Sequence, residues 1–213
     1  MIGARSRVFD AGTYAPMRDA LRRTVAAIGP SSVLDLGCGE GYYTRSLRDL
    51  DEPPLRVGID LSKKGISRAA RLDPEGMYLV GNCFSPPLAD DSIDTIISVF
   101  SPVPEAAIAR VSRRGAHVVV VGPGPDHLIE IRRSIYREVR KRAGAMPAVP
   151  DSWQLVHEGD VRALVEGDVA SVGADIVRMS PYIWSSQSDL ALGSVQHLPS
   201  ITLSFRFTVY RLP

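Results

Sequence analysis

The stretch Val33-Leu34-Asp35-Leu36-Gly37-Cys38-Gly39-Glu40-Gly41-Tyr42-Tyr43-Thr44 constrains this chain more than any other. A short apolar run from Ser32 to Leu36 ends in glycines at every second position and then enters a helical pattern from Tyr42 to Leu50, so it reads as strand, tight loop, helix. Glycines there let the backbone turn sharply and approach a ligand with no Cβ in the way, and the start of the helix turns N–H groups toward it. Dinucleotide-binding loops space their glycines G-x-G-x-x-G, whereas this loop reads D-x-G-x-G-x-G, one residue fewer before the third glycine. That spacing favours S-adenosylmethionine (SAM), which has no pyrophosphate to seat, over NAD. Asp35, Gly37, Gly39 and Gly41 are the candidate cofactor residues of the loop. The second anchor is Arg56-Val57-Gly58-Ile59-Asp60, a strand pattern with a carboxylate at its C-terminal end that can accept from both ribose hydroxyls, followed by Leu61. An ordinary strand-to-helix turn would explain the glycines alone, but not Asp60 one βα unit later.

Composition narrows the class. A chain of 213 residues, 45% hydrophobic, is long enough for one well-buried α/β domain and short for two. We therefore expect a single domain over 1–213, with a lead-in and helix in 1–30 and the last strands and acceptor-side elements in 151–213. A formal net charge of +1 gives no global reason to expect nucleic acid, although a local basic face can hide in that sum. The two cysteines, Cys38 and Cys83, form no C-x-x-C pair, so no metal site is expected and a reduced, cytoplasmic setting fits. No apolar run approaches a membrane span and the start lacks a signal-peptide core.

Taken in order, Met17, Leu21, Val25 and Ile28 recur at helical spacing before Gly29-Pro30, which predicts a helix over 15–28. Ahead of it lies Phe9-Asp10-Ala11-Gly12-Thr13-Tyr14-Ala15-Pro16, either a lead-in folding over the cofactor end of the sheet or a surface arm covering the first helix. Beyond Asp60, a basic helix over 62–71 and a strand over 77–80 are predicted, with Asn82 and Cys83 where an adenine contact belongs, or in a plain turn. Residues 92–100 read as a buried parallel strand ending at Phe100, whose loop through Pro104 lies where ligands bind in open α/β sheets. The continuous run 116–121 predicts a strand buried on both faces. It leads through Gly122-Pro123-Gly124-Pro125-Asp126-His127 to a helix striped by Leu128, Ile131, Ile135 and Val139, with Arg133, Arg137, Arg140, Lys141 and Arg142 on its polar side, either a solvated face or a phosphate contact. After a linker at 145–150 come an apolar cluster over 176–184 and an alternating strand over 201–210. Such an order predicts a mostly parallel sheet with an antiparallel strand at or near one edge.

Four blocks, Asp35 to Thr44, Asp10 to Pro16, Pro123 to Leu128, and Met179-Ser180-Pro181-Tyr182-Ile183-Trp184, resemble in order the bacterial large-subunit (23S) rRNA (guanine-N1)-methyltransferases. The likeness runs over nearly the whole chain. It implies the α/β fold of class I SAM-dependent methyltransferases, Rossmann-like, with a seven-stranded mostly parallel sheet and an antiparallel edge. Members of that family begin with a cysteine-bearing zinc ribbon, and Met1 falls where their linker resumes, so the resemblance is to the catalytic domain. They show Gly-His-Tyr where Thr13 separates Gly12 and Tyr14 here, and a histidine where this chain has Phe84.

Methyl transfer from a sulfonium is an in-line displacement, so the protein chiefly aligns donor and acceptor and excludes water. A proton-bearing acceptor also needs a base, for which His127, Asp10 and Tyr14 are the candidates, a capping or packing role being the alternative for His127. Three functions remain open. The leading expectation is a small-molecule acceptor, as in secondary metabolism, from the near-neutral charge, the missing ribbon and the aromatic substitutions. The others are 23S rRNA guanine-N1 methylation, and SAM binding without methyl transfer. Oligomeric state is not legible.

Overall fold

The computed structural model describes residues 2–135, 146–180 and 188–213. Its helices and strands alternate as the pattern predicts: α1 (Ile2–Asp10), α2 (Ala15–Ile28), β1 (Ser32–Leu36), α3 (Tyr42–Ser46), β2 (Leu55–Asp60), α4 (Lys63–Leu72), β3 (Met77–Val80), β4 (Ile93–Val99), α5 (Glu105–Val111), β5 (Ser112–Pro123), α6 (Ile129–Ile135), β6 (Gln154–Val165), α7 (Val169–Met179), α8 (Ser188–Ser194) and β7 (Ile201–Arg211). The seven strands form one sheet in the order β3-β2-β1-β4-β5-β7-β6. Its first five strands pair in parallel, with Leu34 opposite Val57 on one side and Ile96 on the other. Along β5 the partners run backwards: Leu212 N–H donates to the Ala116 carbonyl (2.9 Å), and Gly124 N–H to that of Ser204 (2.9 Å). β7 is therefore antiparallel to β5. The class I methyltransferase fold is the one observed.

Two compact units divide the chain. One comprises Arg18–Gly122, Ala145–Gly159 and Arg206–Pro213. Its core is the aliphatic packing of Leu34, Leu36, Val57, Ile59, Ile96 and Val118 from the parallel strands, all essentially buried. Burial on both faces is why these strands read as unbroken apolar runs. The other comprises Met1–Met17, Pro123–Gly144 and Asp160–Phe205. There Arg7 grips Asp175 with two hydrogen bonds (2.7 and 2.6 Å), tying α1 to α7. Tyr14 and His127 both pack on Phe205, at ring separations of 5.3 and 5.1 Å.

Several elements differ from the sequence pattern. The helix predicted over 42–50 is α3 followed by a 3-10 turn, Leu47–Asp49. β5 begins earlier than predicted because its register with β4 jumps from Ile93 opposite Ser112 to Thr95 opposite His117, and Gly115 takes up the excess at φ 74°. Residues Ile2–Asp10 form a helix the pattern did not predict, α1, and the chain turns at 11–14 before α2. β6 and most of α7 escape the pattern. Val139, Arg137, Arg140, Lys141 and Arg142, together with Pro181 to Trp184, lie outside the described residues.

Candidate active site

The glycine loop leaves β1 and is bound at once to β2. The N–H groups of Gly37 and Cys38 both donate to the Ile59 carbonyl (2.8 and 3.1 Å), and Gly41 N–H donates to that of Cys38 (2.9 Å). Gly39 N–H donates to Asp60 Oδ2 (2.9 Å), while Ser62 N–H donates to Asp60 Oδ1 (2.7 Å). Asp60 is thus the pin of the loop as well as the carboxylate at the end of β2, and each oxygen keeps acceptor capacity. Gly37, Gly39 and Gly41 all have positive φ (77°, 58° and 69°), which a side chain would strain.

Those bonds test which cofactor the loop can hold. A pyrophosphate needs several loop N–H donors, but the amides of Gly37, Cys38, Gly39 and Gly41 are all engaged within the protein. At Gly37 and Gly41 the backbone is packed too closely for a Cβ. A Cβ on Gly37 would overlap Ser101 Oγ, and one on Gly41 would stand 2.9 Å from the Tyr78 ring. The residues present fit SAM, whose adenosine and methionine parts need a ribose carboxylate and close approach.

Asp35 is placed differently from the expectation. It is buried and accepts a hydrogen bond from Thr44 Oγ1 (2.5 Å), so it fastens α3 to β1 from beneath. Asn82 is exposed, and its side-chain oxygen accepts from Phe84 N–H (3.0 Å), closing the turn after β3. Cys83 packs partly against the aliphatic core, and burial raises its thiol pKa above the ordinary value, which keeps it protonated. Leu61, Phe84 and Phe100 are 74%, 62% and 47% exposed. They follow the carboxyl ends of β2, β3 and β4, where open α/β sheets take ligands.

Three residues that the sequence did not single out support the loop. Arg56 is buried and forks onto the buried Asp73 (Nε 3.2 Å, Nη2 3.1 Å), and Tyr78 Oη donates to the same carboxylate (2.9 Å). The Tyr78 ring fills the space at both Gly41 and Gly58, so it underlies the loop. A fourth, Glu40, is 3% exposed inside the glycine motif and accepts from Arg68 Nε (2.6 Å), tying the loop to α4. Arg56 within an apolar strand and Glu40 among glycines were the available signals.

Asp10, Tyr14 and His127, the candidate bases, belong to the second unit. Tyr14 is buried, and desolvation raises its phenol well above the ordinary range, so it stays protonated. His127 is buried and its Nδ1 accepts from Ser204 N–H (3.2 Å), with burial pushing its pKa down to about 4. A neutral ring whose Nδ1 accepts carries its proton on Nε2, and the ring packs on Phe205. Asp10 is exposed at the end of α1.

Residues 33–122, covering the parallel strands and the loop, match a family described as a methyltransferase domain. The chain is 30% identical to the 23S rRNA (guanine(748)-N(1))-methyltransferase of Streptomyces fradiae, over 99% of this chain and 79% of that protein. It belongs to the 23S rRNA (guanine-N1)-methyltransferase family. YxjB of Bacillus subtilis (strain 168), provisionally given a 23S rRNA (guanine-N(1)-) activity, is 29% identical over 87% of this chain and 70% of its own. The solved structure of the YcgJ protein from Bacillus subtilis superposes with a TM-score of 0.59 at 13% identity, over 91% of this chain and 98% of that one, which shows the fold. The protein is a methyltransferase of the SAM-dependent class. Among the described residues no helix is long and apolar enough to cross a membrane.

Proposed function

We propose that this enzyme transfers the methyl of SAM to N1 of a guanine in RNA, with Gly37, Gly39, Gly41, Asp60, Leu61 and the turn Asn82–Cys83 holding the cofactor. The observation that carries the acceptor is the match along almost the entire chain to a protein named for that reaction. The small-molecule expectation drew on net charge, on where the sequence begins and on the aromatic substitutions, and the first two do not bear on a local surface. Bound SAM supplies an electrophilic methyl on sulfur. Transfer to N1 would form the N1–carbon bond as the carbon–sulfur bond breaks, with S-adenosylhomocysteine as the leaving group and the N1 proton going to solvent or a base. The chain's own contribution is to orient the donor through Asp60 and the loop and to align the acceptor ring.

A local charge feature agrees with RNA. Lys63 and Lys64 are exposed in the first turn of α4, just after its N-cap Ser62, and that turn has no acidic residue. Cations at a helix start oppose the helix dipole, a cost that phosphate contacts would offset. The single-domain reading of 1–213 is retained because β5, β6 and β7 each carry residues of both units. A planar small molecule is the second reading, favoured by the exposed Phe84 in place of the family's histidine.

Incubating the enzyme with SAM and protein-free 23S rRNA tests the acceptor. N1-methylguanine cannot pair, so a new reverse-transcription stop at one guanine is expected, with activity falling steeply in salt and further in the Lys63→Glu/Lys64→Glu variant. Methyl incorporation into a small aromatic acceptor, with none into rRNA and no salt dependence, would select the second reading.

A further inference from the structure

We propose that Phe100 is the surface on which the acceptor base stacks, held for that purpose in a backbone conformation its side chain disfavours. Three non-glycine residues among those described have positive φ: Asp91 (49°), Phe100 (52°) and Leu128 (54°). Aspartate tolerates this region, and Asp91 lies in an exposed turn. Leu128 is 4% exposed, so packing accounts for it. Phe100 is a bulky aromatic, and 47% of it faces solvent.

The neighbouring structure over-determines that conformation. Phe100 N–H donates to the Val121 carbonyl (2.9 Å), carrying the β4·β5 pairing one residue beyond Val99 opposite Val121. One residue later, Ser98 Oγ donates to the carbonyls of Ser101 and Pro102 (3.0 and 3.2 Å), and Pro104 caps α5. The chain is held on both sides of Phe100 and has to turn left-handed between them. Ser101 sits against Gly37, in the space a Cβ there would take, so the loop carrying Phe100 abuts the first glycine of the cofactor loop. Strain of this kind persists where the surroundings impose it, and it concentrates at functional sites.

An exposed ring on a backbone held beside the proposed cofactor loop suits an acceptor with a π face. Base-on-aromatic stacking also needs no particular hydrogen-bond pattern, so it can hold a guanine while leaving its N1 edge open. This inference rests on the reading of the acceptor as an RNA base and reassigns Phe100 from the cofactor, where its place in the sequence put it, to the acceptor.

The test compares wild type with Phe100→Ala, Phe100→Gly and Phe100→Tyr in three measurements: kcat/KM on an rRNA fragment, SAM affinity by calorimetry, and thermal midpoint. Losing the ring should lower kcat/KM roughly 10- to 100-fold in the alanine and glycine variants, the scale of one lost stacking contact. SAM affinity should stay within about twofold and tyrosine should restore turnover, which a structural role would not produce. Because alanine keeps the disfavoured φ and glycine relieves it, the glycine variant should melt at or above the alanine variant. SAM affinity falling in step with turnover would return Phe100 to the cofactor and overturn the proposal. So would unchanged kcat/KM, or a glycine variant that melts below the alanine variant. If wild type methylates no RNA, the acceptor reading fails and this inference with it. If wild type methylates RNA and the variants match it, only this inference fails.

Discussion

Asp60 pins the loop, and the proposed hold on the ribose would be a second task of the same carboxylate, separable by what each substitution leaves behind. Its oxygens accept from Gly39 N–H and Ser62 N–H, and the remaining acceptor capacity suits the ribose hydroxyls. Asp60→Ala removes charge-assisted bonds of about 1.5–3 kcal/mol, so SAM affinity should fall roughly 10- to 100-fold in calorimetry. Asp60→Asn should do no better than alanine, since its NH2 would face an N–H donor in one of the two positions. Unchanged SAM binding in both variants would remove Asp60 from the site. The residue stands out in the sequence because ribose chemistry asks for a carboxylate at a strand end one unit after the loop, and the structure adds that it pins the loop. Asp35 was legible only as part of a motif. Its partner, the buried Thr44, lies nine residues on, and nothing in the spacing distinguishes a carboxylate facing a ligand from one fastening a helix.

At the scale of elements, the loop stands on β2, α4 and β3, joined by the Arg56, Asp73 and Tyr78 cluster. Tyr78→Phe keeps the ring under Gly41 and Gly58 and loses one hydrogen bond to Asp73, which Arg56 still holds. A destabilisation of about 1 kcal/mol is expected, with SAM affinity unchanged. Tyr78→Ala opens a cavity beneath the loop as well, costing roughly 3 kcal/mol and loosening SAM binding. Denaturant midpoints and calorimetry on the two variants check this, and equal SAM affinity in both would show that the ring does not support the loop. The cluster was not readable in advance because its members become neighbours only once β2 and β3 pair. β6 escaped for a different reason. It is an edge strand whose residues from Gln154 to Glu158 are all exposed, so no burial imposes an apolar alternation on it. In α7 the apolar residues are mixed with the glycine and aspartate that its packing uses, Gly173 against Ile201 and Asp175 with Arg7.

The whole molecule was legible as a fold because buried parallel strands and amphipathic helices leave strong periods, whereas the acceptor was not, since one fold serves many acceptors. Its pH dependence follows from a few buried groups. His127 is held neutral by burial above all, with the Arg132 charge adding to it, and its pKa is about 4 against about 6.5 in the unfolded chain. Between those values the unfolded state binds more protons, so stability rises with pH through that window. The contribution is complete above about pH 6.5 and is lost as pH falls toward 4, amounting to at most about 3 kcal/mol. His117 is lowered too, by burial and by Arg211, and acts with the same sign. Asp175, held below the usual carboxylate range by its hydrogen bonds from Arg7, contributes stability that is present above the ordinary aspartate pKa and lost below it. Asp94 does the same: burial opposes the shift, and Ser31, Arg113 and Ser32 outweigh it. Acid should therefore destabilise the protein in two stages, the histidines first. His127→Gln keeps an acceptor for Ser204 N–H but cannot titrate, so its unfolding free energy should vary less between pH 6.5 and 4 than that of wild type, while both fall together at lower pH. Parallel stability curves for the two proteins across the upper window, measured by urea unfolding at half-unit steps, would show that His127 titrates the same folded and unfolded.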